Sequence, residues 1–206
     1  MAPVTAPPAS TRERIVDEAM RLFGEQGFRG TTVAQIEAAA GLTPGAGGLY
    51  HHFSAKDDVL AEGIRRHLAR LEALRDIRAI LTDLGDLRAE LAIVARYFLA
   101  ELDGQTELFR ILVSEVRRRP DLLTDAANWL VSSTYRGFAA WMRDAAGPTL
   151  TEERAMTISA LAMGSLLSSR LLRNVMAVEP PAPDDALVPA WVDMVMAMLP
   201  VEPHGE

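Results

Sequence analysis

Helix-start signals recur so closely between residues 10 and 57 that only short helices fit between most of them. Ser10 and Glu13 have the spacing of a capping box, in which a hydroxyl accepts the N–H three residues on and the acid returns the bond. Ile15, Ala19, Leu22 and Phe23 follow at helical spacing, predicting an amphipathic helix stopped near Gly27. Thr32 and Gln35 repeat the box, with Val33, Ile36, Ala39 and Ala40 on one face and Gly41 as the stop, predicting a helix of about eight residues. Thr43 offers a third cap, and Pro44 occupies the first helical position, where a missing N–H costs nothing. A short third helix to about Phe53 is expected. Ser54 and Asp57 open a fourth, which can continue through Leu60, Ile64 and Leu68 toward Ile77.

Beyond Gly85 the spacing predicts helices at about 86 to 103, 105 to 119, 121 to 146, 151 to 177 and 185 to 199. Arg117 to Arg119 sit where a helix C-terminus favours cations and precede Pro120, while Gly147-Pro148 forces a break before Thr149 and Glu152 restart the helix. No strand-like alternation and no internal repeat interrupts this series. The expectation is an all-α protein of about nine helices. Its first three form a helix-turn-helix domain over 10 to 55, and the fourth leads into a C-terminal domain over 56 to 206. Residues 1 to 9, with three prolines and no charged side chain, read as a disordered tail.

Composition narrows the function. The chain has no cysteine, which excludes a disulfide scaffold, Cys-ligated metal and thiol chemistry. The formal net charge of −7 argues against a nonspecific nucleic-acid coat but leaves room for a local DNA-binding face, because residues 11 to 78 are nearly neutral and the remainder carries the acidity. The opening MAPVTAPPAS lacks the basic and apolar regions of a secretion signal, and no later run reaches the roughly 18 uncharged apolar residues of a membrane span. A cytoplasmic protein with no membrane partner is expected. The four histidines contain no H-x-x-x-H pair, the Gly45-x-Gly47 stretch lacks the third glycine and βαβ setting of a dinucleotide loop, and no nucleophile elbow or phosphate loop occurs. Nothing points to a metal, a cofactor or an enzyme.

A short helix, the turn Ala40-Gly41-Leu42-Thr43 and a second short helix make a helix-turn-helix, a unit that braces one helix across the DNA backbone and offers the next to the major groove. The stretch TRERIVDEAMRLFGEQGFRGTTVAQIEAAAGLTPGAGGLYHHFSAKDDVL, with A-x-x-L/M-F-x-x-x-G-F/Y-x-x-T-T-V, I-x-x-x-A-G-L-T and L-Y-H-H-F-x-x-K-D-x-L, resembles the N-terminal domain of TetR-family transcriptional regulators over about 50 residues. The resemblance implies a helical C-terminal domain that dimerises and often binds a small ligand. It therefore implies a homodimer on a palindromic double-stranded operator, acting as a repressor released by a small-molecule effector. One departure stands out. T-P-G-A-G-G-L-Y, which contains three glycines, holds two more residues than the family's usual turn-to-Tyr spacing.

The candidate DNA contacts are Thr31, Thr32, Thr43, Pro44, Gly45, Ala46, Tyr50, His51 and Lys56. Thr31 and Thr32 bring hydroxyls to a helix N-terminus, Thr43 can bond a base edge or phosphate, and Ala46 can touch a thymine methyl. Tyr50 and His51 add a phenol and an imidazole. Lys56, the only lysine, falls in a first helical turn, where a dipole favours an anion, so a phosphate partner is expected for it. His52 and Phe53 read as packing residues. In the C-terminal half Arg96, Tyr97, Trp129, Ser133, Arg136 and Trp141 are sparse polar or aromatic groups in apolar helices, the composition of a ligand pocket. Ala160, Gly164 and Ser168, continuing to Leu172, form a small-residue groove, and Trp191, Val195 and Met198 an apolar face; together these are the expected dimer surface. The competing reading is a helical ligand-binding protein or enzyme in which the helix-turn-helix only packs.

Overall fold

The computed structural model of the chain describes residues 10–80, 86–147 and 149–200, and among these there are eight α-helices and no strand. They are α1 (Thr11–Gly30), α2 (Val33–Ala39), α3 (Lys56–Ile80), α4 (Leu87–Gly104), α5 (Thr106–Glu115), α6 (Pro120–Ala146), α7 (Glu152–Arg170) and α8 (Asp184–Met198). The expected all-α class holds, with a count close to nine.

Two of the expected capping boxes form in full. Ser10 accepts from Glu13 N–H at 3.2 Å while the Glu13 carboxylate accepts from Ser10 N–H, and Thr32 and Gln35 do the same at the start of α2. Gly27 breaks α1 with non-helical torsions, but the run resumes to Gly30. At α7 the cap is Thr151, two residues beyond the expected Thr149, with its hydroxyl accepting from Arg154 N–H.

The third helix is the main departure. Thr43 to Gly47 form turns, and only Gly48–His51 close a single 3-10 turn. Gly45 and Gly47 have φ of 74° and 77°, whereas an α-helix needs about −63°, so the Thr43-Pro44 cap signal opens no helix here.

Packing divides the chain into two compact units. One takes in the chain up to Arg70 together with Glu107–Thr124, and the other takes in Leu71–Thr106 together with Asp125 onward. The division at 55/56 expected from chain order therefore does not coincide with the units, since α5 and the first part of α3 are counted with the helix-turn-helix. In the N-terminal unit, Ile15, Ala19 and Phe23 of α1, Ile36 of α2, Leu49, and Val59 and Leu60 of α3 are fully buried. Gly24 fits closely on α5, since an added Cβ would meet the Glu107 backbone at 3.1 Å.

The C-terminal unit is built on one apolar cluster from α4, α6, α7 and α8, including Leu91, Leu99, Phe138, Met142, Ile158, Leu166, Trp191 and Val195. Two expected dimer residues are corrected here. Trp191 is 2% exposed, its indole N–H bonded to Ala162 C=O at 2.8 Å, and Val195 is wholly buried, so both complete the core of their own subunit. The helical spacing marked an apolar face correctly but carried no information about what it faces. Ala160 and Ser168 are exposed, and Gly164, Leu172 and Met198 are half-buried. The stretch Glu152–Val175 is long and apolar enough to cross a membrane by length and composition, although 44% of it is buried within the structure.

Candidate nucleic-acid interface

Polar side chains that bind backbone ends hold the helix-turn-helix together. The Thr31 hydroxyl, 1% exposed, donates to Gly27 C=O at 2.9 Å and Leu22 C=O at 3.2 Å, closing the C-terminal end of α1. The Lys56 ammonium donates to Phe28 C=O at 2.7 Å and Thr31 C=O at 2.6 Å, and lies 4.2 Å from the centre of the Phe28 ring. Burial, and next the nearby positive charge of Arg119, lower its pKa from the usual lysine value. Arg119 covers the same ring at 3.7 Å and pairs with Asp57. Two of the three Lys56 donors are thus engaged by the chain's own carbonyls. In place of the phosphate expected for Lys56, these two donors meet the carbonyl end of α1, which is the negative pole of its dipole. At the far end of α2, Arg14 Nε donates to Ala40 C=O at 3.2 Å.

The segment after α2 is shaped by a residue that the sequence reading did not single out. Glu37, on α2, has no exposed surface. One of its carboxylate oxygens accepts from Gly45 N–H at 2.6 Å and the other from Leu49 N–H at 3.0 Å. Its own carbonyl accepts from Leu42 N–H at 2.8 Å. Gly48 lies so near Leu42 that an added Cβ would sit 3.3 Å from that side chain. Leu49 and Phe53 turn inward, and Thr43, Pro44, Gly45, Ala46, Tyr50 and His51 stay exposed, Tyr50 at 58%. His52 is exposed as well, contrary to the packing role expected for it. Thr32 is exposed but its hydroxyl serves the α2 cap. A signal for Glu37 did exist: it is the one charge in the Ala-rich run of α2, directly before a glycine-rich segment whose N–H groups need acceptors.

Beside this segment lies an open groove of about 540 Å³ lined by Arg12, Tyr50, His51, His52, Ser54 and Arg65, among others. Arg12, Arg65 and Arg66 all reach Glu62, at 2.7, 2.9 and 2.9 Å, and Arg12 also lies 4.7 Å over the Phe53 ring. The hydrogen bond from Arg65 first, then those from Arg12 and Arg66, hold the Glu62 carboxyl far below the usual carboxylate range. Arg12 and Arg65 line the groove together with the carboxylates of Asp58 and Glu62, so its charged side chains are balanced and its guanidinium groups are held in ion pairs.

The expected pocket residues all lie in the C-terminal unit, on α4 and α6. Arg96 and Arg136 are exposed, while Tyr97, Trp129, Ser133 and Trp141 are half-buried. The Ser133 hydroxyl donates to Leu130 C=O within its own helix, and Trp141 stacks at 5.6 Å on Phe138. No cluster of three or more metal-ligating side chains occurs among the described residues.

Residues 15–62, which run from α1 through the glycine-rich segment into α3, match the family described as bacterial regulatory proteins, tetR family. The match places the N-terminal domain, and not the whole chain, beside the TetR family. Among characterised relatives, the transcriptional repressor KstR2 of Rhodococcus jostii is 33% identical over 121 residues, 55% of this chain and 57% of that protein. The chain thus spans little more than half the length of this relative. The TetR fold extends further than sequence identity does. A structure from Mesorhizobium loti assigned to the TetR family superimposes with a TM-score of 0.72 at 19% identity, covering 93% of this chain and 97% of that one. The fatty acid degradation regulator FadR of Bacillus halodurans superimposes with a TM-score of 0.67 at 18% identity, over 93% of this chain and 97% of its own.

Proposed function

We propose that this chain is a TetR-family regulator, a sequence-specific, duplex-DNA-binding transcriptional repressor that works as a cytoplasmic homodimer without enzymatic activity. The observation that carries the reading is the exposure of Thr43–Ala46, Tyr50 and His51 along one segment, directly after the braced helix α2 and beside the Arg12–Arg65 groove. Two-fold DNA recognition requires a second copy. The exposed face of α7 supports one: Ala160, Leu161 at 56% exposure, Gly164 and Ser168 line it, and an added Cβ at Gly164 would have only Tyr135 Oη near it, at 3.9 Å. A partner helix covering that face also accounts for a helix more apolar than its own subunit buries. An apolar effector bound between the C-terminal helices, near half-buried Tyr97, Trp129 and Trp141, would release the DNA by favouring a conformation that fits the operator less well. The name of the Bacillus relative, a regulator of fatty acid degradation, is in keeping with an apolar effector.

The test is to capture genomic fragments on the purified full-length chain and titrate the enriched duplex at several salt concentrations. The expected site is palindromic. Tyr50→Phe, which removes one neutral hydroxyl from an exposed ring, should weaken binding about uniformly across sequences with the salt slope and the melting temperature unchanged. Absence of any enriched fragment would overturn the reading, and an unaltered titration would remove Tyr50 from the interface.

A further inference from the structure

We propose that Glu37 is the positioning and specificity-determining residue of the DNA-reading segment, which it holds as a preformed loop before DNA arrives; this rests on the DNA-binding reading above. Both oxygens of Glu37 are used, one at Gly45 and the other at Leu49, so a single side chain clamps both ends of the stretch that exposes Ala46. No Lys or Arg pairs with this buried carboxylate among the described residues, and the two backbone N–H donors are its compensation. The loop between the clamped ends needs that restraint. Gly45 and Gly47 both sit at left-handed φ, and glycine without a partner is the residue that loses most freedom on being ordered.

The loop reads by a different chemistry from that of a recognition helix. Gly45 has no neighbour within 4 Å of where a Cβ would stand, so backbone N–H and C=O groups can approach a groove closely, with Ala46 supplying a methyl contact and Thr43 a hydroxyl. Readout of this type depends on where the backbone lies rather than on long side chains that adjust. Holding the backbone is therefore equivalent to setting specificity.

The sign of one substitution separates positioning from charge. A carboxylate near a DNA-facing surface repels phosphates, so on charge alone Glu37→Gln should tighten binding to every duplex. As a clamp, Glu37→Gln loses an acceptor and frees one end of the loop. Operator affinity should then fall about tenfold or more while affinity for a scrambled duplex changes less than about twofold. Both are measured on the full-length protein with the captured duplex, alongside hydrogen exchange of the peptide covering residues 43–50, which should lose protection in the variant.

Gly45→Ala tests the same loop without touching the acid, because within the protein its only penalty is backbone strain; it too should lose operator selectivity, and lost exchange protection over residues 43–50 separates the strain from a clash of the added methyl with DNA. Gly147→Ala, with the same kind of strain at φ 76° and no close neighbour, lies in the other unit and should leave operator selectivity intact. If Glu37→Gln binds the operator as tightly as wild type or tighter, or loses operator and scrambled duplex equally, the proposal is wrong. Should Glu37→Gln fail to fold, Gly45→Ala decides by the same criteria. A wild-type chain that prefers no duplex overturns the DNA-binding reading and this proposal together, whereas a wild-type preference that survives in both variants overturns this one alone.

Discussion

The N-terminal and C-terminal units both bury polar side chains, but direct them at different targets. In the N-terminal unit Thr31, Glu37 and Lys56 bind backbone groups of segments that are ending or leaving a helix. In the C-terminal unit, Ser159 and Trp191 donate to carbonyls of long helices, and Arg170 joins side chains from three elements. Helices satisfy their own backbone, so polar groups placed among them fix register; turns cannot, so polar groups among them create shape. Apart from Thr32, the exposed DNA-reading candidates lie in or beside the segment that Glu37 shapes, which is where a chain can hold a surface that helical hydrogen bonding would not form by itself.

The contrast breaks most readily at Trp191. If the C-terminal unit is held by filling space rather than by directed bonds, Trp191→Ala should cost about 3–5 kcal/mol in urea unfolding, because the indole lies among Phe138 and the other core side chains. Trp191→Phe gives up the bond to Ala162 and some volume but keeps an aromatic ring in place, and should cost much less. A larger loss for Phe than about half the Ala value would mean that the indole N–H matters more than packing, and the two units would be alike.

A somewhat smaller effect is expected at the charged group of the same unit. Arg170 is 4% exposed; Asp184 takes it bidentately at 2.8 and 2.7 Å, and Asp103 lies 2.8 Å from Nε. Asp184→Asn leaves a buried guanidinium with one full anionic partner in place of two, for a loss of about 3 kcal/mol. Hydrogen bonding from Arg170 holds the Asp184 carboxyl below its ordinary value. A carboxylate depressed by folding contributes stability that is present above the unfolded-state value, near pH 4, and lost as the pH falls through the lower folded value. The wild type should therefore lose stability on acidification through and below pH 4 more steeply than Asp184→Asn. Parallel curves would show that the pair contributes little.

What the sequence made legible follows the same division between local and distant causes. The boxes at Ser10 and Thr32 rest on atoms three residues apart, so their signals could be read directly. Thr43-Pro44 carried an equally good local signal, yet the helix is absent, because Gly45 and Gly47 adopt left-handed torsions and Glu37 draws the segment back toward α2 from eight and twelve residues away. Lys56 was expected to meet a phosphate, and two of its donors instead meet carbonyls at the end of α1, more than twenty residues distant in sequence. For Trp191 and Val195 the spacing identified an apolar face, and whether a face meets its own core or another copy depends on the tertiary arrangement, which spacing does not encode.

The smallest effect sharpens the comparison inside the N-terminal unit itself. Thr32 was a candidate phosphate contact, and its hydroxyl instead accepts from Gln35 N–H at 3.2 Å and donates to the Gln35 side chain at 2.9 Å. As a cap on a helix of seven residues it should be worth about 1 kcal/mol, so Thr32→Ala should lower the unfolding free energy by that amount. Thr32→Ser keeps the oxygen and loses only a methyl group, and should retain most of the stability. The exposed position still allows a direct DNA contact, and the two roles separate in a paired measurement. If Thr32 only caps, Thr32→Ala weakens the operator complex no more than its stability loss explains, and Thr32→Ser restores both together. If the hydroxyl also meets a phosphate, Thr32→Ala weakens binding to operator and scrambled duplex alike by more than its stability loss explains, with the salt slope unchanged because the hydroxyl carries no charge. A loss of affinity no larger than the stability deficit explains would assign Thr32 wholly to shape, alongside Thr31 and Glu37, and leave the contacts to the exposed segment that begins at Thr43.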